Sequence, residues 1–125
     1  MIKTTLGNNL TTVTEVTDKK ALYTAFANPR EHVNPGEMLA ASLGACMLTM
    51  VGYMAAKRAD KAEGTTVEIR PQFDDKHTRI TGFDLTFIFP PSFTQEQKDI
   101  YTRAAQTCPV HNSLREDMKY TVTVK

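Results

Sequence analysis

An α+β fold in the order β-β-β-α-β-β-α-β, with a long central buried helix, is what this 125-residue sequence predicts. Three observations carry the prediction. Nineteen consecutive residues, Met38 to Ala56, hold no charge, the pattern of a helix buried on every side. Apolar and polar residues alternate with strand period in Val67, Ile69 and Phe73, in Phe83, Leu85, Phe87 and Phe89, and in Met118, Tyr120, Val122 and Val124. An apolar stripe at helical spacing, Ile100, Tyr101, Ala104, Ala105 and Cys108, lies between the last two runs.

Taken in order, residues 1–33 read as short strands. Leu6-Gly7-Asn8-Asn9-Leu10 puts turn chemistry between two Thr/Val-rich segments, and Asp18-Lys19-Lys20 is the next turn before a strand around Ala21–Phe26. The central helix spans 35–59, from Asn34-Pro35-Gly36-Glu37 to Lys57-Arg58. Strands fill 65–90, where Pro90-Pro91 is a hard stop. A helix over 94–107 opens with Thr94 and Gln97 as a capping box. Pro109 ends it and suits the first position of a short new helix within 110–117, followed by the last strand, so that 109–125 closes the fold. The strands are expected to pair antiparallel, and the whole chain, 1–125, to form one domain.

Composition excludes several function classes. Fifteen basic residues against fourteen acidic ones, scattered along the chain, do not suit nucleic acid or an acidic membrane as partner. The uncharged run approaches membrane-spanning length, but only nine of its nineteen residues are large and apolar. It reads instead as a core helix, and a chain this small needs a second subunit to bury such a helix all round. No apolar segment follows Met1, so no secretory signal is expected. Two cysteines in such a chain suit a reducing, cytoplasmic compartment.

Both cysteines point inward. Cys46 sits in the middle of the uncharged run, where burial is expected to raise its pKa. Cys108 lies on the core side of its helix and, just before Pro109, at the start of the next, where free N–H groups favour a thiolate. Spacing alone leaves two readings open: a pair of small buried hydrophobes, or a redox pair.

The segment Asn34-Pro35-Gly36-Glu37-Met38-Leu39-Ala40-Ala41-Ser42-Leu43-Gly44-Ala45-Cys46, followed 62 residues later by Cys108-Pro109-Val110, resembles the OsmC/Ohr family of hydroperoxide-reducing proteins. It is similar to the family's short OsmC-like branch along essentially the whole chain. The resemblance implies a thiol peroxidase that uses no haem, flavin or metal. Cys46 would attack the distal oxygen of an organic hydroperoxide, release an alcohol and become a sulfenic acid. Cys108 would condense with it to a disulfide, which an external dithiol, a lipoylated protein or similar, would reduce. The resemblance also implies an intertwined homodimer with its sites near the subunit interface.

Two features depart from the family pattern. An Arg from the N-terminal part of the chain normally contacts the thiolate and is held by a carboxylate two positions after the Asn. Gly36 stands there, and the nearest acid is Glu37, nine positions from Cys46 and so on the opposite face of a continuous helix, at about 900° of rotation. Glu37 has a second natural role, stabilising the helix N-terminus. Arg30 is the one Arg upstream of the thiol, and Lys19 or Lys20 could supply a less directional cation. Ser42, Thr49, Met50 and Tyr53 fall on the helix face of Cys46, where Ser42, Met50 and Tyr53 are candidate substrate contacts. His111, three residues after Cys108, is a candidate for assisting proton transfer. Three scattered His and two Cys make no metal-ligand spacing. A second function class stays open beside the reductase. The fold and thiols could serve a redox sensor, or a binder of small apolar or electrophilic ligands, with weak peroxidase activity.

Overall fold

The computed structural model describes residues 1–26 and 31–125. The elements run β1 (Ile2–Leu6), β2 (Thr11–Val16), β3 (Leu22–Ala25), α1 (Pro35–Arg58), β4 (Thr66–Phe73), β5 (Ile80–Ile88), α2 (Gln95–Ala105), α3 (Pro109–Ser113) and β6 (Lys119–Val124). This is the α+β order expected, with a short helix after Pro109. The described residues form two compact units, Met1–Leu39 and Ala40–Lys125.

The first unit is an antiparallel meander, β1-β2-β3. Its register places threonines opposite one another, and Thr4 and Thr14 share a hydroxyl hydrogen bond of 2.8 Å, a cross-strand pair that adds to the backbone ladder. Asn9 and Leu10 both adopt positive φ at the β1–β2 turn, the twist a tight hairpin needs.

The first turn of α1 belongs to this unit and is closed by a reciprocal cap. The Glu37 N–H donates to Asn34 Oδ1 at 2.8 Å, and the Asn34 N–H donates to Glu37 Oε1 at 3.0 Å. Two otherwise orphaned amides are thereby satisfied. Losing such a cap costs about 1 kcal/mol. Glu37→Ala should therefore lower stability by about that amount in urea titration, whereas Glu37→Gln, which keeps the acceptor, should not.

In the second unit, α1 buries one stripe: Ala40, Leu43, Gly44, Met47, Val51 and Ala55. Each of the large members contributes roughly 1.5–3 kcal/mol by leaving water. Gly44 lets the helix come close to the sheet, since a Cβ there would lie 2.9 Å from Ile69 Cδ1 and 3.4 Å from Val67 Cγ1. The helix ends in a Schellman arrangement, with Asp60 N–H bonded to Ala55 O at 3.0 Å and Ala59 at φ 56°. The uncharged sequence predicts burial on every side. Instead Ala41, Ser42, Ala45, Thr49, Gly52, Tyr53 and Ala56 are exposed. Lack of charge reports what a helix avoids, not how much of it one chain can cover.

The sheet on which α1 packs has the order β4-β5-β6. The β4–β5 pair is antiparallel, as expected. The β5–β6 pair is parallel, with Phe83 opposite Tyr120 and Leu85 opposite Val122. This corrects the expectation of antiparallel pairing throughout. Residues between β5 and β6 form α2 and α3, and a helical crossover returns the chain in the same direction. Phe83, Leu85 and Phe87 lie fully buried under the helices.

Thr94 and Gln97 form the expected capping box of α2. Tyr101, fully buried, donates its hydroxyl to Asp60 just beyond α1. That bond holds the Asp60 carboxyl below its usual range and, after burial itself, raises the Tyr101 phenol. It also ties α2 to the end of α1, which fixes where α2 delivers Cys108.

Candidate functional site

The two thiols meet in the second unit. Cys46 projects from the flank of the buried α1 stripe and is half-buried, while Cys108 is fully buried at the junction of α2 and α3. Both are free, and the Cys46 side chain neighbours that of Cys108 closely enough to influence its ionisation. Residues 62 positions apart in sequence are thus brought together by the packing of α1 and the α2–α3 crossover on one sheet.

Local structure explains the position of Cys108. It is the N-cap of α3, extended at φ −64° and ψ 134°, with Pro109 at the first helical position. Its Sγ accepts the His111 backbone N–H at 3.2 Å, and the Val110 amide also favours its charged form. Those amides favour a thiolate, as the sequence suggests. Burial outweighs them, and together with the neighbouring Cys46 thiol pushes the Cys108 pKa up. Cys108 is accordingly a neutral thiol at neutral pH. The sequence expects both thiols to point inward; the structure buries Cys108 fully and Cys46 only in part, because α1 offers Cys46 only the margin of its buried stripe.

Beside Cys108 stand His111 and Tyr120. The His111 ring lies 4.6 Å from the Tyr120 ring, and its Nδ1 is 3.4 Å from Asn112 Oδ1. Tyr120 stacks on Phe83 at 6.1 Å. Its hydroxyl is buried without a hydrogen-bond partner among the described residues. Burial, and then the charge of a Cys108 thiolate, raise the Tyr120 pKa. Tyr120 escapes notice in the sequence as one more inward residue of an alternating strand. The available signal is a polar tip at a core position.

The other candidates are spread out. Ser42 and Tyr53 are exposed and Met50 is half-buried. Tyr53 carries Lys57 Nζ 4.9 Å above its ring, a cation–π contact at the surface. Glu37 stands in the cap with Asn34 described above. Arg30 lies outside the described residues. A cleft of about 280 Å³ lined by Leu48, Val51, Gly52, Ala55, Asp60 and Thr65 borders the later turns of α1 and contains neither cysteine. Among the described residues no three His, Cys, Asp or Glu side chains cluster to hold a metal.

This pair of juxtaposed thiols can carry two-electron sulfur chemistry. A half-exposed sulfur is open to an oxidant, and a buried one beside it can condense with the product.

Comparison with known proteins agrees with the fold. The family model for OsmC-like protein matches residues 28–123. No curated protein sequence matches the chain. Among solved structures, a protein of Psychrobacter arcticus 273-4, described as an osmotic stress induced and detoxification response protein, is 26% identical with a TM-score of 0.89, covering 99% of this chain and 94% of that one. The organic hydroperoxide resistance protein OsmC of Legionella pneumophila is 20% identical with a TM-score of 0.77, covering 100% and 95%. The organic hydroperoxide resistance protein OhrB of Bacillus subtilis is 14% identical with a TM-score of 0.73, covering 100% and 96%. With the family model spanning residues 28–123 of its 125, the chain belongs to the OsmC-like protein family.

Proposed function

We propose that this protein is a two-cysteine organic hydroperoxide reductase with a role in peroxide stress. The observation that carries the reading is the juxtaposition of two free thiols, one half-exposed and one buried. Cys46 is the nucleophile. Its sulfur attacks the distal hydroperoxide oxygen, the O–O bond breaks, and the alcohol leaves with a proton while Cys46 becomes a sulfenic acid. Cys108 then forms the S–S bond as the S–O bond breaks, and water leaves carrying the Cys108 proton. An external dithiol returns both sulfurs to the thiol state. The setting of this chemistry is the cytoplasm. The exposed small-residue face of α1, with Ala41, Ala45, Gly52 and Ala56, is covered by a second copy of the chain. Sedimentation at micromolar concentration should give the mass of a dimer, and a monomer there would overturn that assignment.

The deciding experiment is stopped-flow oxidation by cumene hydroperoxide, with mass spectrometry of the product. A Cys46–Cys108 disulfide should form far faster than free thiols react, and its absence would sink the reductase reading. One observation favours the second reading, a redox sensor or small-ligand binder: the only acid next to the helix start, Glu37, is engaged in the Asn34 cap. Under that reading disulfide formation is no faster than the background of a free thiol.

A further inference from the structure

We infer that the Tyr120 hydroxyl is a fixed hydrogen-bond donor to the oxygen carried by Cys46 after oxidation, and that it assists departure of that oxygen when Cys108 closes the disulfide. The inference rests on the reductase reading and adds a residue to its second step.

The geometry starts from an imbalance. A buried hydroxyl without a partner is costly, and native structures rarely leave one. The Tyr120 hydroxyl is the one buried side-chain polar atom without a partner among the described residues. It is not free to swing to another one. Its ring is held between Phe83, opposite it in the β5–β6 register, and the His111 ring at 4.6 Å. His111 is the residue whose backbone N–H holds Cys108 Sγ at 3.2 Å, so tyrosine and thiol are fixed to the same short helix. Burial and the neighbouring Cys108 both favour the protonated phenol, and Cys108 in turn neighbours Cys46.

Chemistry supplies the missing acceptor. In the reduced protein the site holds two sulfurs, which are weak acceptors. Oxidation adds an oxygen to Cys46, beside Cys108, where negative charge builds as the S–O bond breaks. A phenol kept protonated by burial and by the neighbouring sulfur can donate to that oxygen. It keeps its own proton, while the Cys108 thiol proton ends on the departing water. No outside reactant enters this step. A preset donor aimed at developing charge speeds a reaction without reorganising during it.

The test is Tyr120→Phe, which removes the hydroxyl and keeps the ring between Phe83 and His111. Reduced wild type and variant are mixed with cumene hydroperoxide and quenched over time with dimedone, and sulfenic adduct and disulfide are counted by mass spectrometry. Cys46 should oxidise at the wild-type rate in both. In the variant, disulfide formation should slow by about tenfold to a hundredfold, as for loss of a hydrogen bond to a charged group, and the dimedone adduct should accumulate. The melting temperature of the reduced variant should equal or exceed that of wild type, because an unsatisfied polar group has been removed. If Tyr120 merely packs, the variant, which keeps the ring, leaves both the adduct and the rate of disulfide formation unchanged. Disulfide formation at the wild-type rate in the variant would overturn the inference. Failure of the reductase reading looks different, with Cys46 of the wild type itself unoxidised by cumene hydroperoxide. The same quench after millimolar hydrogen peroxide then reads the closing step alone and judges Tyr120 by the same ratio.

Discussion

Serine at position 46 should lower the rate of cumene hydroperoxide consumption by roughly a thousandfold or more, the scale on which removal of a nucleophile is felt. A hydroxyl is neither ionised nor soft enough to attack a peroxide oxygen near neutral pH, whereas a thiol ionises at about 8.5. The fold should survive, since Cys46 is only half-buried. Serine at position 108 should behave differently. It stops the disulfide but leaves one turnover of Cys46, which accumulates as sulfenic acid and under excess peroxide goes on to sulfinic acid. Serine is also a strong N-cap, so the start of α3 is preserved. Stopped-flow rates, with the mass of each product, check both variants. Peroxide consumption by Cys46→Ser at the wild-type rate would remove Cys46 from the mechanism.

Gly82→Ala should destabilise the protein by about 3 kcal/mol, at the upper end of overpacking costs. Gly82 is buried in β5 beside β6, and a Cβ there would lie 2.2 Å from the Lys119 carbonyl oxygen and 3.0 Å from its carbonyl carbon. The two nearest obstructing atoms are Lys119 backbone, which cannot turn aside as the end of a flexible side chain would. The strands must separate where the parallel ladder begins, one residue before Phe83 and Tyr120. Urea denaturation measures the loss, and a variant within about 0.5 kcal/mol of wild type would show that β6 can shift freely. Since β6 carries Tyr120, the same variant should also slow disulfide closure beyond what its stability explains.

Much of this structure was legible in the sequence, for identifiable reasons. The capping box at Thr94 and Gln97 is a local motif whose partners are three residues apart, so no distant information is needed. Pro109 sets the start of α3 and makes Cys108 its cap through the same locality. The alternation of Phe83, Leu85 and Phe87 identifies a strand and its buried face. Alternation is blind to direction, however, and could not reveal that β6 runs parallel to β5. Nor could apolar composition decide the burial of α1. The stripe of Leu43, Met47 and Val51 is selected by the sheet beneath it, while Ala45 and Tyr53 share the same uncharged run and face outward. At the site, the thiols were readable as types and their meeting required the crossover. Tyr120 was readable only as a strand residue, because its significance lies in an unpaired hydroxyl and a neighbouring histidine.

The proximity of Cys46 to Cys108 has a thermodynamic consequence for the whole chain. Oxidation would tie α1 to α3 across 62 residues. By chain-entropy reasoning, a covalent loop of that size disfavours the unfolded chain by about 4 kcal/mol. The oxidised protein should melt measurably higher than the reduced one, and equal melting temperatures would mean that strain consumes the entropic gain. By linkage, the fold holds the disulfide closed with the same energy, equivalent to about 90 mV relative to the unfolded chain. Each turnover would thus leave the protein in its most rigid and least reducible state. The cycle's slow step then passes from peroxide capture to release by the reductant, whose potential must be low enough to reopen the ring.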